Sequence, residues 1–146
     1  MPDNREGYLG LAWGSSEADL RAKAFDVYRA VDLASIRPGY SVVSATLTEG
    51  PIPCLADFSF RAGGLVSVHL RFRPSDFKLM ARRLNYRYGR ASLEEPDRLI
   101  WRGERTNILL RRSKPDPDLA SAILIQPEEQ AAVLAYGASI ESQSDG

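Results

Sequence analysis

The chain has 146 residues, and its 19 Lys+Arg residues balance its 19 Asp+Glu residues, so the formal net charge is zero. This length suits one domain with a substantial core, and a neutral chain has no long-range attraction for nucleic acid or anionic lipid. The single cysteine excludes an internal disulfide, and the single histidine excludes a polyhistidine metal site.

Several recognisable segments and motifs are absent from the sequence. No apolar run approaches the roughly 20 residues of a membrane helix, and residues 1–7 lack the apolar stretch of a secretory signal. Phosphate-loop, dinucleotide-binding and zinc-binding motifs are missing as well. We therefore expect a soluble protein with no cofactor and no metal. It would be cytoplasmic, or periplasmic or envelope-bound if a signal was removed before residue 1.

In chain order, the first predicted element is an amphipathic helix over residues 16–31, with Ser16 as its N-cap. Its apolar positions follow helical spacing; they are Leu20, Ala24, Val27, Tyr28 and Val31. A turn at residues 37–39 follows this helix. Alternating apolar residues then predict a strand over residues 41–48, and residues 49–53 read as a loop.

The next predicted element is a β-hairpin with apolar residues at even positions on both strands. These residues are Cys54, Ala56, Phe58 and Phe60, then Val66, Val68, Leu70 and Phe72. The two sets share one face only if the loop has an odd number of residues. We therefore predict a three-residue loop, Ala62-Gly63-Gly64, with Gly64 left-handed. The resulting pairs are Phe60–Val66, Phe58–Val68, Ala56–Leu70 and Cys54–Phe72.

This register decides which side chains could act together chemically. It places Cys54 in the core and His69 on the opposite face, which argues against a Cys–His dyad. It sets Asp57 opposite His69, with Ser59 and Ser67 one pair away. A hydrolase using the Asp57–His69 pair is a poor alternative, because no oxyanion hole or nucleophile elbow is visible. We expect a polar cross-strand pair and no enzyme.

A second helix is predicted to begin at residues 74–76, with Ser75 as its cap, and to end at Gly89. Its buried stripe is expected to contain Phe77, Met80, Ala81, Leu84 and Tyr88. After a loop over residues 94–96, two strands over 98–102 and 105–112 are predicted to be joined by a type II′ turn. That register pairs Leu99 with Ile108 and Trp101 with Thr106.

The chain is then predicted to end with a strand over 119–125, a short helix over 127–136 and a flexible tail over 138–146. The overall prediction is a single α+β domain over residues 1–137. It has two layers: an antiparallel sheet of about six strands, two main helices on one of its faces, and the short C-terminal helix.

The predicted outer side of the second helix is the candidate binding surface. Its residues are Leu79, Arg82, Arg83, Tyr86 and Arg90, which fall at helical spacing opposite the buried stripe. Arginine and tyrosine are enriched at interface hot spots. We predict that this surface binds another protein through an acidic patch on the partner. The alternatives are that it faces solvent, or that the acidic residues 115–146 cover it.

Charge is distributed unevenly along the chain. Residues 1–60 carry 5 basic and 8 acidic side chains. Residues 61–114 carry 14 basic and 5 acidic side chains, and residues 115–146 carry 6 acidic side chains and no basic ones. The basic segment 61–114 keeps nucleic-acid binding as an alternative, although the acidic ends and the zero net charge argue against it. An immunity protein or a secretion chaperone is a third alternative, since both are small, α+β and non-catalytic.

Three stretches carry a resemblance to known bacterial domains. Leu11-Ala-Trp-Gly-Ser-Ser-Glu17 resembles the opening motif wGmskeeV, and Phe60-Arg-Ala-Gly-Gly-Leu-Val-Ser-Val68 resembles the hairpin F.nGkLv.v. Leu84-Asn-Tyr-Arg-Tyr-Gly89, with Trp101 and Thr106-Asn-Ile-Leu-Leu110, is similar to L..kYG.p…W….t.i.L. Over residues 8–136 the pattern resembles small domains of the SmpA/OmlA and β-lactamase-inhibitor-protein type. The resemblance implies a non-catalytic domain that binds other proteins, often in the cell envelope.

Overall fold

An antiparallel sheet dominates the computed structural model, which describes residues 7–23, 25–33, 37–112 and 119–131. Its strands are β1 (Asp26–Asp32), β2 (Tyr40–Glu49), β3 (Ile52–Arg61), β4 (Gly64–Phe72), β5 (Leu93–Glu95), β6 (Arg98–Trp101), β7 (Asn107–Arg112) and β8 (Ala120–Ile125). They lie in the order β1-β2-β3-β4-β8-β7-β6-β5. Two meanders, β1–β4 and β5–β8, therefore meet where β4 pairs with β8.

The predicted α+β class with an antiparallel sheet is confirmed, but the strand number and the helices differ. The sheet has eight strands rather than six. Helix α1 (Glu17–Arg21) is only five residues long, and α2 (Phe77–Tyr88) is the one long helix within the described ranges. The predicted C-terminal helix is helical over 127–131; the remainder of it and the predicted tail lie outside the described residues.

The predicted helix over 16–31 is wrong beyond its first turns. Its start is correct, because Ser16 and Asp19 form a capping box with N–H···O distances of 3.1 and 3.0 Å. The chain then leaves the helix, and Asp26–Asp32 pairs with β2 as an edge strand. This stretch is rich in valine and tyrosine, which favour strands, and Phe25 stacks on Phe58 of β3 with ring centroids 5.9 Å apart.

The hairpin of β3 and β4 confirms the predicted faces except at Val66, whose place in the core cluster is taken by Leu65, and it does not confirm the predicted loop. Phe58 pairs with Val68 and Ala56 with Leu70, as expected. The turn has two residues, Ala62 and Gly63, both with positive φ (50° and 82°), and Gly64 already belongs to β4. A register shift after Ser59 then pairs Phe60 with Leu65 instead of Val66. This bulge supplies one extra residue on β4, so that beyond it even-numbered residues of β3 lie opposite even-numbered residues of β4.

The connection between β2 and β3 is also tighter than predicted. Glu49 pairs with Ile52, so the expected loop over 49–53 is a two-residue turn of Gly50 and Pro51. Gly50 has a φ of +58°, a left-handed conformation that glycine adopts at little cost.

Helix α2 forms as predicted, with corrections at its start. Phe77, Met80, Leu84 and Tyr88 are buried, Ala81 is half-buried, and Gly89 ends the helix with a φ of +87°. The predicted cap Ser75 is wrong. Residues Pro74–Asp76 form a 3₁₀ turn, and Asp76 stands at the N-cap without a side-chain capping bond.

The second meander departs from the predicted register. The short edge strand β5 occupies most of the expected loop over 94–96, and Trp101 pairs with Ile108 instead of Thr106. The predicted two-residue turn does not form because Thr106 is hydrogen-bonded to Trp13 and does not pair with Trp101. The indole of Trp13 donates to the carbonyl of Arg105 (2.9 Å) and to Oγ1 of Thr106 (3.0 Å). A shift of two residues leaves every side chain on its predicted face.

The two faces of the sheet have different roles. On the core face, Val43, Phe58, Leu70 and Trp101 are buried beneath α1, α2 and the segment around Tyr8 and Trp13, which belong to the same cluster of buried residues. The outer face carries Ser44, Asp57, His69, Arg71, Ser121 and Arg111, among others. The helical residues 127–131 lie on this outer face, where Asn107 donates to Gln130.

Candidate functional site

Helix α2 is fixed to the sheet by a buried carboxylate. Glu49, at the end of β2, is 0% exposed. Its Oε2 accepts from Nε of Arg83 at 2.7 Å, and Nε of Arg87 lies 3.0 Å from its Oε1. The hydroxyl of Tyr8 donates to Oε1 at 3.0 Å, and burial together with Glu49 raises the pKa of Tyr8 well above its usual value. The two arginines and the tyrosine compensate the buried charge and hold α2 in place.

Gly50 makes this arrangement possible. A Cβ atom at this position would lie 2.4 Å from Cζ of Arg83, so a side chain here would displace the guanidinium group. This cluster is not among the predictions from the sequence, because Glu49 falls in the predicted loop over 49–53. The i, i+4 spacing of Arg83 and Arg87 was the available signal, because such a spacing puts two guanidinium groups on one helix face.

The predicted binding residues divide into two groups. Arg82 and Tyr86 are exposed on α2, Tyr86 to 73%, and Arg90 is also exposed but lies beyond Gly89, so its predicted place on the helix face is wrong. Leu79 is half-buried against the core, and Arg83 is partly buried in its ion pair with Glu49. A surface depression of about 380 Å³ brings most of these residues together; it is lined by Leu79, Arg82, Arg83, Tyr86 and Arg87.

The acidic C-terminal region contributes a second buried carboxylate, on the outer face. Glu129 is 1% exposed, and its oxygens lie 3.2 Å from Arg61 and 3.7 Å from Arg37. The hydroxyl of Tyr40 also donates to it. Glu129 thus pairs with the basic segment at Arg61, on the side of the sheet away from α2.

Ion pairs compensate much of the positive charge in residues 61–114. The arginines in such pairs are Arg61, Arg71, Arg73, Arg83, Arg87, Arg98 and Arg112. Their partners come from both the acidic segments and the basic segment itself. Three carboxylates from outside the segment, Glu49, Asp57 and Glu129, therefore offset part of its excess positive charge.

Cys54 and His69 lie on opposite faces of the sheet, as predicted. Cys54 is buried on the core face, where its thiol donates to the carbonyl of Ile52 at 3.5 Å. Burial is the main cause that raises the pKa of Cys54 to about 11, so the thiolate is scarce at neutral pH. A Cys–His dyad cannot form in this arrangement.

Asp57 and His69 are directly opposed on β3 and β4, again as predicted. The oxygens of Asp57 accept from Oγ of Ser44 at 2.7 Å and from Nη2 of Arg71 at 3.2 Å. The serine in contact is Ser44 rather than Ser59 or Ser67, and its hydroxyl donates to a carboxylate. A nucleophilic triad needs that hydroxyl to donate to an imidazole, so this geometry does not form one.

The protonation of His69 is expected to weaken the fold at low pH. Its pKa is lowered, first by burial and then by Arg71 and Arg111, against an opposing effect of Asp57. The unfolded chain therefore takes up the proton first as pH falls. The stability that neutral His69 contributes is complete above its unfolded pKa of about 6.5 and is lost progressively below it.

Urea unfolding at a series of pH values measures this effect. The His69→Gln variant is expected to lose less stability than the wild type between neutral pH and about pH 5, since it removes the group that titrates there. Parallel losses in the two proteins over that range would contradict the assignment.

Among the described residues, no group of three or more His, Cys, Asp or Glu side chains could hold a metal ion. In the same part of the chain, no helix has the length and apolar character needed to cross a membrane.

Comparisons with protein-family models, curated proteins and solved structures find no match to this chain. The resemblance to SmpA/OmlA and β-lactamase-inhibitor-protein domains stays a prediction.

Proposed function

We propose that the protein is a non-catalytic binding or adaptor domain that recognises an acidic patch on another protein. Its contact area is formed by Leu79, Arg82 and Tyr86 of α2 together with Arg90, just beyond the end of the helix, and we call it the α2 surface. The observation that carries the proposal is the 73% exposure of Tyr86 next to the exposed Arg82, one helical turn earlier on α2. Tyrosine and arginine are the residue types that most often dominate binding energy at protein interfaces.

The attachment of α2 supports this role. Because Glu49 holds Arg83 and Arg87, the helix presents its outer side in one fixed orientation. A rigid surface loses little conformational entropy on binding, which favours affinity. The depression beside Leu79 and Tyr86 offers an apolar floor, and Arg82 adds a positive rim. A partner with an aliphatic or aromatic side chain flanked by carboxylates fits this chemistry.

The test compares partner proteins captured from a lysate of the protein's own cells. The double variant Arg82→Glu/Tyr86→Ala is expected to lose at least one partner that the wild type captures. Its affinity for that partner is expected to be at least roughly 30-fold weaker than that of the wild type, which is typical when hot-spot residues are removed. Arg83 is left unchanged, since its loss would disturb the fold. The matched control is Arg29→Glu, at an exposed position on edge strand β1 away from α2.

Two results would contradict the proposal. One is a double variant that keeps every wild-type partner. The other is binding of labelled DNA or RNA at low salt that weakens steeply with added salt and disappears in the double variant, since this behaviour indicates phosphate contacts. The second result would favour the nucleic-acid alternative.

A further inference from the structure

A row of four apolar side chains crosses the outer face of the second meander. Leu93 of β5 pairs with Ile100 of β6, which pairs with Leu109 of β7, which in turn pairs with Ile123 of β8. Leu93 is 38% exposed and the other three are half-buried, and none of them belongs to the core cluster. We call these four residues the apolar row. A contiguous apolar patch on a sheet face is a surface that another apolar segment can cover.

A groove of about 740 Å³ lies over the apolar row. On the sheet side it is lined by Ile100, Leu109 and Ile123, and on the side of the helical residues 127–131 by Pro127, Gln130 and Ala131. Ala131 is the last residue that the structure describes, so the chain continues from the margin of the groove.

Two polar contacts fix the helical residues 127–131 beside this groove. Glu129 is 1% exposed, and its carboxylate lies 3.2 Å from Nη1 of Arg61. The side-chain oxygen of Gln130 accepts from Nδ2 of Asn107 on β7 at 2.6 Å. Because the two contacts come from adjacent positions of one helical turn, they define the side of the helix that faces the sheet.

The sequence beyond residue 131 continues the same pattern. Val133 and Leu134 come four residues after Glu129 and Gln130, so a continued helix places both on the side that faces the sheet. Ala132 comes four residues after Glu128, which is exposed. The sequence therefore predicts larger apolar side chains toward the sheet and a small one toward solvent.

The dimensions of helix and strand bring Leu134 to the apolar row. Four residues of helix advance about 6 Å, and two residues of strand about 7 Å. Gln130 contacts Asn107, and the apolar row crosses β7 two residues further along, at Leu109. The step from Gln130 to Leu134 thus has the length of the step from Asn107 to the apolar row.

We propose that residues 132–136 continue the helix across the groove and that the side chain of Leu134 fills it. These residues are Ala-Val-Leu-Ala-Tyr, an uncharged segment that matches the apolar lining. A helix of one or two turns is not stable on its own, so packing of Leu134 on the apolar row supplies the stabilisation that the segment needs. The groove is on the face opposite α2, so this inference is independent of the proposed function.

Methyl NMR on the full chain tests the contact. Nuclear Overhauser effects are expected between the methyl groups of Leu134 and those of Ile100 or Leu109. A sample mixed from isotope-labelled and unlabelled protein distinguishes effects within one chain from effects between two chains. The proposal is overturned if Leu134 shows no effect to these residues, or if the effects arise only between chains. The second result would assign the groove to a second copy of the protein.

The Leu134→Ser variant tests whether the segment covers the apolar row, with Ala132→Ser as the matched control. Both changes replace a good helix former by serine, so they lower helix propensity by similar amounts. Leu134→Ser is expected to raise the fluorescence of the hydrophobic dye ANS at least about threefold over the wild type, because the dye binds exposed apolar surface. Ala132→Ser is expected to match the wild type. Equal dye fluorescence in the two variants would also overturn the proposal.

Discussion

Replacement of Glu49 by glutamine is expected to lower the free energy of unfolding by about 3 kcal/mol, because it leaves the partly buried charges of Arg83 and Arg87 without a counter-charge. Glu49 is fully buried and accepts from three side chains, so no solvent replaces the lost interactions. Urea unfolding monitored by far-UV circular dichroism measures the loss.

The matched control is Glu95→Gln. Glu95 pairs with Arg98 at 3.0 Å, but both side chains are nearly half exposed, so the expected loss is below about 1 kcal/mol. Equal, small losses in the two variants would show that the Glu49 cluster does not hold α2. A large loss in Glu49→Gln alone would show that the buried Glu49 cluster, which attaches α2 to β2, contributes strongly to stability.

The second large effect is expected for Phe58→Ala, which should cost about 3–5 kcal/mol. Phe58 is fully buried on the core face of β3 and stacks on Phe25, so its truncation leaves a cavity in the core beneath Phe25. Leu55→Ala is the control on the same strand. Leu55 points to the outer face and is 42% exposed, so we expect a much smaller loss. Similar losses would contradict the assignment of the two faces.

Local patterns predicted the parts of the fold that depend on nearby residues. The buried stripe of α2 and its end at Gly89 follow from helical spacing and from the left-handed preference of glycine. The faces of β3 and β4 follow from alternation. The first helix failed because the apolar spacing of residues 20–31 fits a helix, whereas pairing with β2 and the contact of Phe25 with Phe58 favour a strand.

Long-range contacts explain what the sequence could not show. Thr106 is held by Trp13, 93 positions away in the chain, and this contact fixes the connection between β6 and β7. Helical spacing placed Arg82 and Tyr86 on the exposed side of α2, but Arg90 lies beyond the Gly89 that ends the helix. The spacing also could not assign Arg83 to Glu49. The pairing of β4 with β8 joins the two meanders, and no local pattern indicates that pairing.

The position of β8 between β4 and β7 has a consequence for synthesis of the chain. The strands β1–β4 follow one another and can pair as they leave the ribosome, but the free edge of β4 has no partner until residues 120–125 emerge. Until then its unpaired N–H and C=O groups remain available to other nascent chains. Folding of the sheet is therefore completed after translation has passed its last strand, and premature termination before residue 120 would leave an aggregation-prone edge.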